Sequence, residues 1–214
     1  MSHDYPVMLK LAGRNCLVVG GGAVAERKVA SLLEARADVT VVAEEWTPVI
    51  EGLVKEGRVR GEKRAFRETD VKGSFLVFAA TNRPEVNENV CRLASSFGAL
   101  VNRADRPEDS SFTDPAVLRR GKITFAVSTG GASPSLAKDI KRELEQLYGI
   151  EFEQAAEFLG EIRDLVQKSG LPSEKRHRLL REIWNEIGMK GIRSGSPEEW
   201  KLVVRRLLRI EEER

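Results

Sequence analysis

Between a short apolar run, Cys16 to Val19, and an amphipathic one, the chain places Gly20-Gly21-Gly22-Ala23-Val24-Ala25. This fits G-x-G-x-x-A, with each residue type at a spacing that has a physical reason. Gly20 permits a tight turn, Gly22 lets a pyrophosphate approach the backbone, and Ala25 lets a helix pack close to a sheet. Ala23 and Val24 open that helix, whose free N–H groups and partial positive charge face the phosphates. About 20 residues further on, the usual distance to the acidic residue, come Glu44 and Glu45. A carboxylate there accepts hydrogen bonds from ribose hydroxyls and repels the additional phosphate of NADP, which points to NAD. The alternative is that both glutamates solvate a loop. Ala79-Ala80-Thr81-Asn82 ends another apolar run at what should be the same sheet edge. Thr81 and Asn82 either line the cofactor pocket or cap a helix starting near Pro84, and their residue types fit both readings.

The elements that must hold these groups alternate, as in a parallel sheet with helices on its faces. Strands are expected at Cys16 to Val19, Val39 to Val42, Phe75 to Ala80 and Leu100 to Asn102. Helical spacing links Ala25, Val29, Leu32 and Leu33, and later Val86, Val90, Leu93, Ala94 and Phe97. After a loop around Arg103 to Pro115 comes a strand, Lys122 to Ser128, and a glycine-rich turn, Thr129 to Ala132. Ser133-Pro134 is a strong helix start, and Leu136, Ile140, Leu144 and Leu147 predict a buried stripe. Beyond Ile150 only helices are expected. Their stripes are Phe152, Ala156, Leu159, Ile162 and Val166, then Leu179, Leu180, Ile183, Trp184 and Ile187. A last helix begins at Ser196-Pro197, with Glu199 in capping-box position, and carries Trp200, Val203, Val204, Leu207 and Leu208. The expected fold is α/β: a Rossmann-type parallel sheet domain at residues 1–113, a mixed connector and dimerisation segment at 114–149, and a C-terminal helical domain at 150–214.

Composition removes several classes. The 214 residues hold 35 Lys+Arg against 33 Asp+Glu, a balance too even to imply nucleic acid. No apolar run approaches the roughly 18 residues of a membrane span. Met1 to Pro6 shows no basic segment followed by an apolar one, so a cytoplasmic location is the default. Cys16 and Cys91 lack metal or redox spacing and read as small buried hydrophobes. His3 and His177 join no spaced ligand cluster, which argues against a permanent metal.

Several further blocks occur in order over roughly residues 5 to 150. They are Tyr5-Pro6 with Leu9 and Leu11, Val19 through Lys28, Ala79-Ala80-Thr81, and Asn102 with Asp105 and Pro107. Ser111-Phe112, Pro115-Ala116 and Val127-Ser128-Thr129-Gly130-Gly131-Ala132-Ser133-Pro134 follow. Together they resemble the precorrin-2 dehydrogenase/sirohydrochlorin ferrochelatase family, which also forms the N-terminal part of siroheme synthase. The resemblance implies an oxidoreductase that uses NAD to oxidise precorrin-2 to sirohydrochlorin. It leaves open a second, lyase activity that inserts ferrous iron to give siroheme, with the iron a briefly bound substrate. It also implies a homodimer.

Within this resemblance, Asp105 matches the family's aspartate proposed to accept or relay the proton. The bland reading is a loop carboxylate accepting turn N–H bonds. A substrate rich in carboxylates calls for cations and free N–H groups. Arg103 and Arg106 flank Asp105, Arg119, Arg120 and Lys122 follow, and Asn102 lies just before. Ser128, Thr129, Gly130 and Ser133 precede a helix N-terminus able to bind a carboxylate. Two departures stand out: Arg36 where a glycine is expected after the first helix, and Asp114 where an apolar residue is expected. Two rivals share the glycine loop. One is an NAD-binding redox-sensing regulatory module without catalysis, which gives no reason for the Asp105 loop. The other is an NAD oxidoreductase acting on a different polyanion.

Overall fold

In β1 (Asn15–Val19) every residue after the first is buried, and successive side chains point to opposite faces. Cys16 and Val18 join one apolar cluster, Leu17 and Val19 another. A strand that buries both faces needs helices on both sides, and the computed structural model, which describes residues 4–212, supplies them. On one face α1 (Ala23–Glu34) and α2 (Pro48–Lys55) contribute Ala25, Val29, Leu32 and Ile50. On the other, α3 (Pro84–Ser96) contributes Val90, Cys91, Leu93 and Ala94.

The remaining strands are β2 (Asp38–Val42), β3 (Arg60–Glu62), β4 (Leu76–Ala79) and β5 (Leu100–Arg103). All pair in parallel in the order β3-β2-β1-β4-β5. The chain works outward from β1 to β3 and then returns to β4 on the other side of β1. That reversal opens a crevice beyond the carboxyl ends of β1 and β4. Cys16 and Cys91 are buried free thiols that burial pushes up to about 11, so both stay protonated hydrophobes.

The chain divides into two units, Met1–Asp114 and Pro115–Arg214. In the second, β6 (Ala116–Arg120) and β7 (Ile123–Val127) form an antiparallel pair against which α4 (Pro134–Leu147) packs. Three helices follow, α5 (Ile150–Lys168), α6 (Ser173–Ser194) and α7 (Pro197–Glu212), around Phe152, Ile162, Leu179, Ile183, Trp200 and Val204. Of the segment 114–149, expected as a connector of its own, Asp114 falls in the first unit and 115–149 share the second with the helices, where α5 packs on both β6 and β7.

Other expectations shift in instructive ways. α2, β3 and β6 are additional elements. The α4 stripe is not buried: Leu136, Ile140 and Leu147 are exposed. Phe97 and Trp184, also placed on buried stripes, are exposed as well. Arg36 adopts the left-handed conformation at φ 57° that its position after α1 demands. Asp114 forms an ion pair with Lys28, whose ammonium also lies 5.1 Å from the centre of the Phe78 ring. Gly188 breaks α6 with φ 50°. His3 lies outside the described residues, as do the first three positions of the Met1–Pro6 segment. Among the described residues no helix is long and apolar enough to cross a membrane, and no cluster of His, Cys, Asp and Glu could hold a metal.

Candidate active site

The crevice at the strand ends is a cleft of about 1040 Å³. Its floor is the turn from β1 to α1. Gly20 sits at φ +130°, and a Cβ there would lie 2.3 Å from the carbonyl oxygen of Ala80, so only glycine lets β1 leave the sheet beside β4. Gly21 packs equally closely on the Glu45 carbonyl, a contact the motif alone did not announce. Gly22 differs, because a Cβ there would meet nothing within 4 Å and would project into open space. Gly22 is also the N-cap of α1, with no side chain bonding the first-turn N–H groups. The start of α1 thus presents unoccupied donors and a positive dipole end to the cleft.

Of the residues expected to hold cofactor, Gly20, Gly22, Ala23, Val24, Glu44, Glu45, Thr81 and Asn82 all line this cleft. Ala25 is fully buried beneath it, where it packs α1 on the sheet. Glu44 Oε2 accepts from Arg83 Nη2 at 2.7 Å, leaving Oε1 for a further donor. Arg83, Trp46, Arg64 and Phe66 are lining residues that sequence reasoning passed over. The Trp46 indole N–H is buried and, among the described residues, has no hydrogen-bond partner. Glycine floor, uncapped helix, open Gly22 and an exposed carboxylate at the end of β2 together fit a dinucleotide.

Beside the cleft wall runs a polar chain that is buried at Asn87 and Arg103 and reaches the surface at Asp105. Thr81 donates to Asn87 Oδ1 from its amide at 3.0 Å and from its hydroxyl at 2.7 Å. Asn87 Nδ2 donates to the Thr81 carbonyl at 3.1 Å and to Asp105 Oδ1 at 2.7 Å. Arg103, 2% exposed, donates to both Asp105 oxygens at 3.2 Å, to Asp109 at 2.6 Å and to the Pro84 carbonyl at 3.2 Å. Burial pushes the Asp105 carboxyl up, but hydrogen bonds from Arg103 and Asn87 outweigh it and hold the group below the usual carboxylate range. Asp105 is therefore a fixed anion.

The residues expected to bind substrate separate into distinct groups. Arg103 is committed to the buried network and is not a surface cation. Asn102 is buried and donates to the Phe112 carbonyl at 3.0 Å, tying β5 to the following loop. Arg106 is exposed beside Glu108 and Asp109. In the second unit Ser133 Oγ caps α4 through the Leu136 amide, Thr129 Oγ1 accepts from the Ser133 amide, and Ser128 Oγ accepts from the Gly130 amide. These hydroxyls build the turn. Arg120 donates to the Tyr148 and Glu145 carbonyls at the end of α4.

Fold and cleft define a Rossmann-class protein that binds NAD. Residues 7–116 match the family model described as putative NAD(P)-binding, and residues 120–147 match the one described as the sirohaem biosynthesis protein central region. The precorrin-2 dehydrogenase of Priestia megaterium is 37% identical over 179 residues, covering 84% of this chain and 88% of that protein. The solved structure of SirC, a precorrin-2 dehydrogenase, superposes with a TM-score of 0.82 at 32% identity, covering 96% of this chain and 100% of that one. The siroheme synthase of Methylobacillus flagellatus is 34% identical over 96% of this chain. Against that siroheme synthase the chain spans 44% of the partner's length, under half. The chain belongs to the precorrin-2 dehydrogenase family.

Proposed function

We propose that this chain oxidises precorrin-2 to sirohydrochlorin with NAD+ in siroheme biosynthesis. The observation that carries the reading is the fixed Asp105 anion joined through Asn87 to Thr81 on the wall of the dinucleotide cleft. The oxidation removes a hydride and a proton from the macrocycle. NAD+, when bound, supplies the hydride acceptor. The N–H groups at Gly22, Ala23 and Val24 hold its pyrophosphate, and Glu44 accepts a ribose hydroxyl. Asp105 acts first as an oriented acceptor for a substrate N–H and stabilises the positive charge left as the hydride departs. A carboxylate held this low is a weak base, so it takes the proton only after hydride loss has made that N–H acidic.

Arg106 in the first unit and, separately, the Ser128 to Ser133 turn in the second are the proposed sites for substrate carboxylates, while Asn102 and Arg103 shape the loop that carries Asp105. Ferrous iron insertion is the second step we propose, with iron entering as a substrate, supported by the siroheme synthase relatives. A homodimer built on α4 and a cytoplasmic setting, in keeping with two reduced buried thiols, complete the proposal.

Anaerobic incubation of the purified protein with precorrin-2 and NAD+ tests it, following NADH and the sirohydrochlorin spectrum together. Stoichiometric appearance of both is expected. NAD+ binding without turnover would favour the sensor reading, and turnover of another polyanion alone would replace the substrate.

A further inference from the structure

Asn87 is 0% exposed in the second turn of α3, on the same face as Val90, Cys91 and Ala94. An amide costs free energy at such a position unless every polar atom is paired. Here all four capacities are filled, two at Oδ1 and two at Nδ2. Closing the turn between β4 and α3 needs only the three bonds to Thr81. The fourth reaches 18 residues along the chain to Asp105. Rotating the amide by half a turn would set Oδ1 against the Asp105 carboxylate and the Thr81 carbonyl, so only one orientation satisfies the site.

We propose that Asn87 is a positioning residue for the oxidation, which ties the Asp105 carboxylate to Thr81 on the cofactor wall and so sets the acceptor at a defined place beside the cleft. This rests on the reading that Asp105 serves the reaction. Arg103 alone does not do the same work, because it is shared with Asp109 and none of these side-chain hydrogen bonds goes to a residue lining the cleft. Asn87 holds Oδ1 of Asp105 at 2.7 Å.

The test compares wild type, Asn87→Ala, Asp105→Ala and the double variant by kcat, KM for precorrin-2 and calorimetric NAD+ affinity. Loss of the tie should lower kcat about 100-fold, as expected when a reacting group is misplaced by ~1 Å. NAD+ affinity should stay within about threefold, and the double variant should be no slower than Asp105→Ala, because the two act as a unit. Asn87→Leu is close to the amide in shape, carries no charge and cannot donate, so it tests the same point if Asn87→Ala folds poorly. Additive losses in the double variant, or wild-type kcat in Asn87→Leu beside a slow Asp105→Ala, would overturn the proposal while leaving the role of Asp105 intact. Full activity in Asp105→Ala would remove that role and the positioning with it.

Discussion

Gly20 and Gly22 lie two positions apart and carry different physical loads. At Gly20 a methyl group would strike the Ala80 carbonyl from a backbone conformation that side chains avoid. Gly20→Ala should therefore destabilise the protein by about 3 kcal/mol, from strain plus a displaced strand end. At Gly22 the backbone is extended, φ −86°, and the space is open. Gly22→Ala should melt at nearly the wild-type temperature yet bind NAD+ at least about tenfold more weakly, since the methyl fills the approach of the pyrophosphate. Thermal melts and calorimetry on both variants check this; equal loss of stability in the two would refute the division of roles. The glycine motif was legible because its spacing encodes contacts between neighbours in sequence. Asn87 was not read, although a polar residue at a core position of α3 was a visible signal. Its meaning depends on Asp105, which only the fold brings near. Arg103 was misjudged for a related reason, since charge is visible in sequence and burial is not.

At the scale of elements, the strands with continuous apolar runs were readable, and β3 was not. Arg60–Glu62 has no apolar pattern and is a strand only because β2 offers it a register, Thr40 opposite Arg60 through Val42 opposite Glu62. α2 did carry a local signal, Thr47 capping the Ile50 amide ahead of Pro48, the same device as Ser133-Pro134. The link from β3 to β4 is held by a short turn, Glu68–Val71. There Asp70 receives a bidentate Arg64, both bonds 2.8 Å, and the Arg67 amide at 2.8 Å. Burial raises the Asp70 carboxyl, but these bonds prevail and leave it below its ordinary value. A depressed carboxyl contributes stability that is fully present above its unfolded pKa and is lost as pH falls through the folded one. Asp70→Asn should thus melt below wild type at neutral pH, with the gap closing as pH falls below the ordinary carboxylate range of about 4 and through the lowered folded value. A gap that stays constant across the acid range would show that the charge at Asp70 contributes nothing.

On the scale of the whole molecule, each unit has its own core, and the second leaves an apolar face uncovered. Periodicity identified the α4 stripe correctly as apolar but not what covers it, because spacing reports a face and never its partner. Leu136, Ile140 and Leu147 are 52%, 36% and 51% exposed, while Ala137, turned about 100° from Leu136 around the helix, is buried. Residues at such spacing form one continuous strip, and strips of this kind on a soluble surface mark interaction sites. A two-fold pair of α4 helices would bury the strip against itself, the self-complementary contact that a symmetric dimer requires. Sedimentation of the wild type should then give twice the mass of one chain. Leu136→Glu with Ile140→Glu should give a single chain that still binds NAD+, because the glycine cleft belongs to the first unit. Precorrin-2 oxidation by that variant separates two cases: lost turnover would mean that the active site needs both copies, retained turnover that the dimer serves stability alone. A wild type that sediments as a single chain at micromolar concentration would remove the dimer from the proposal.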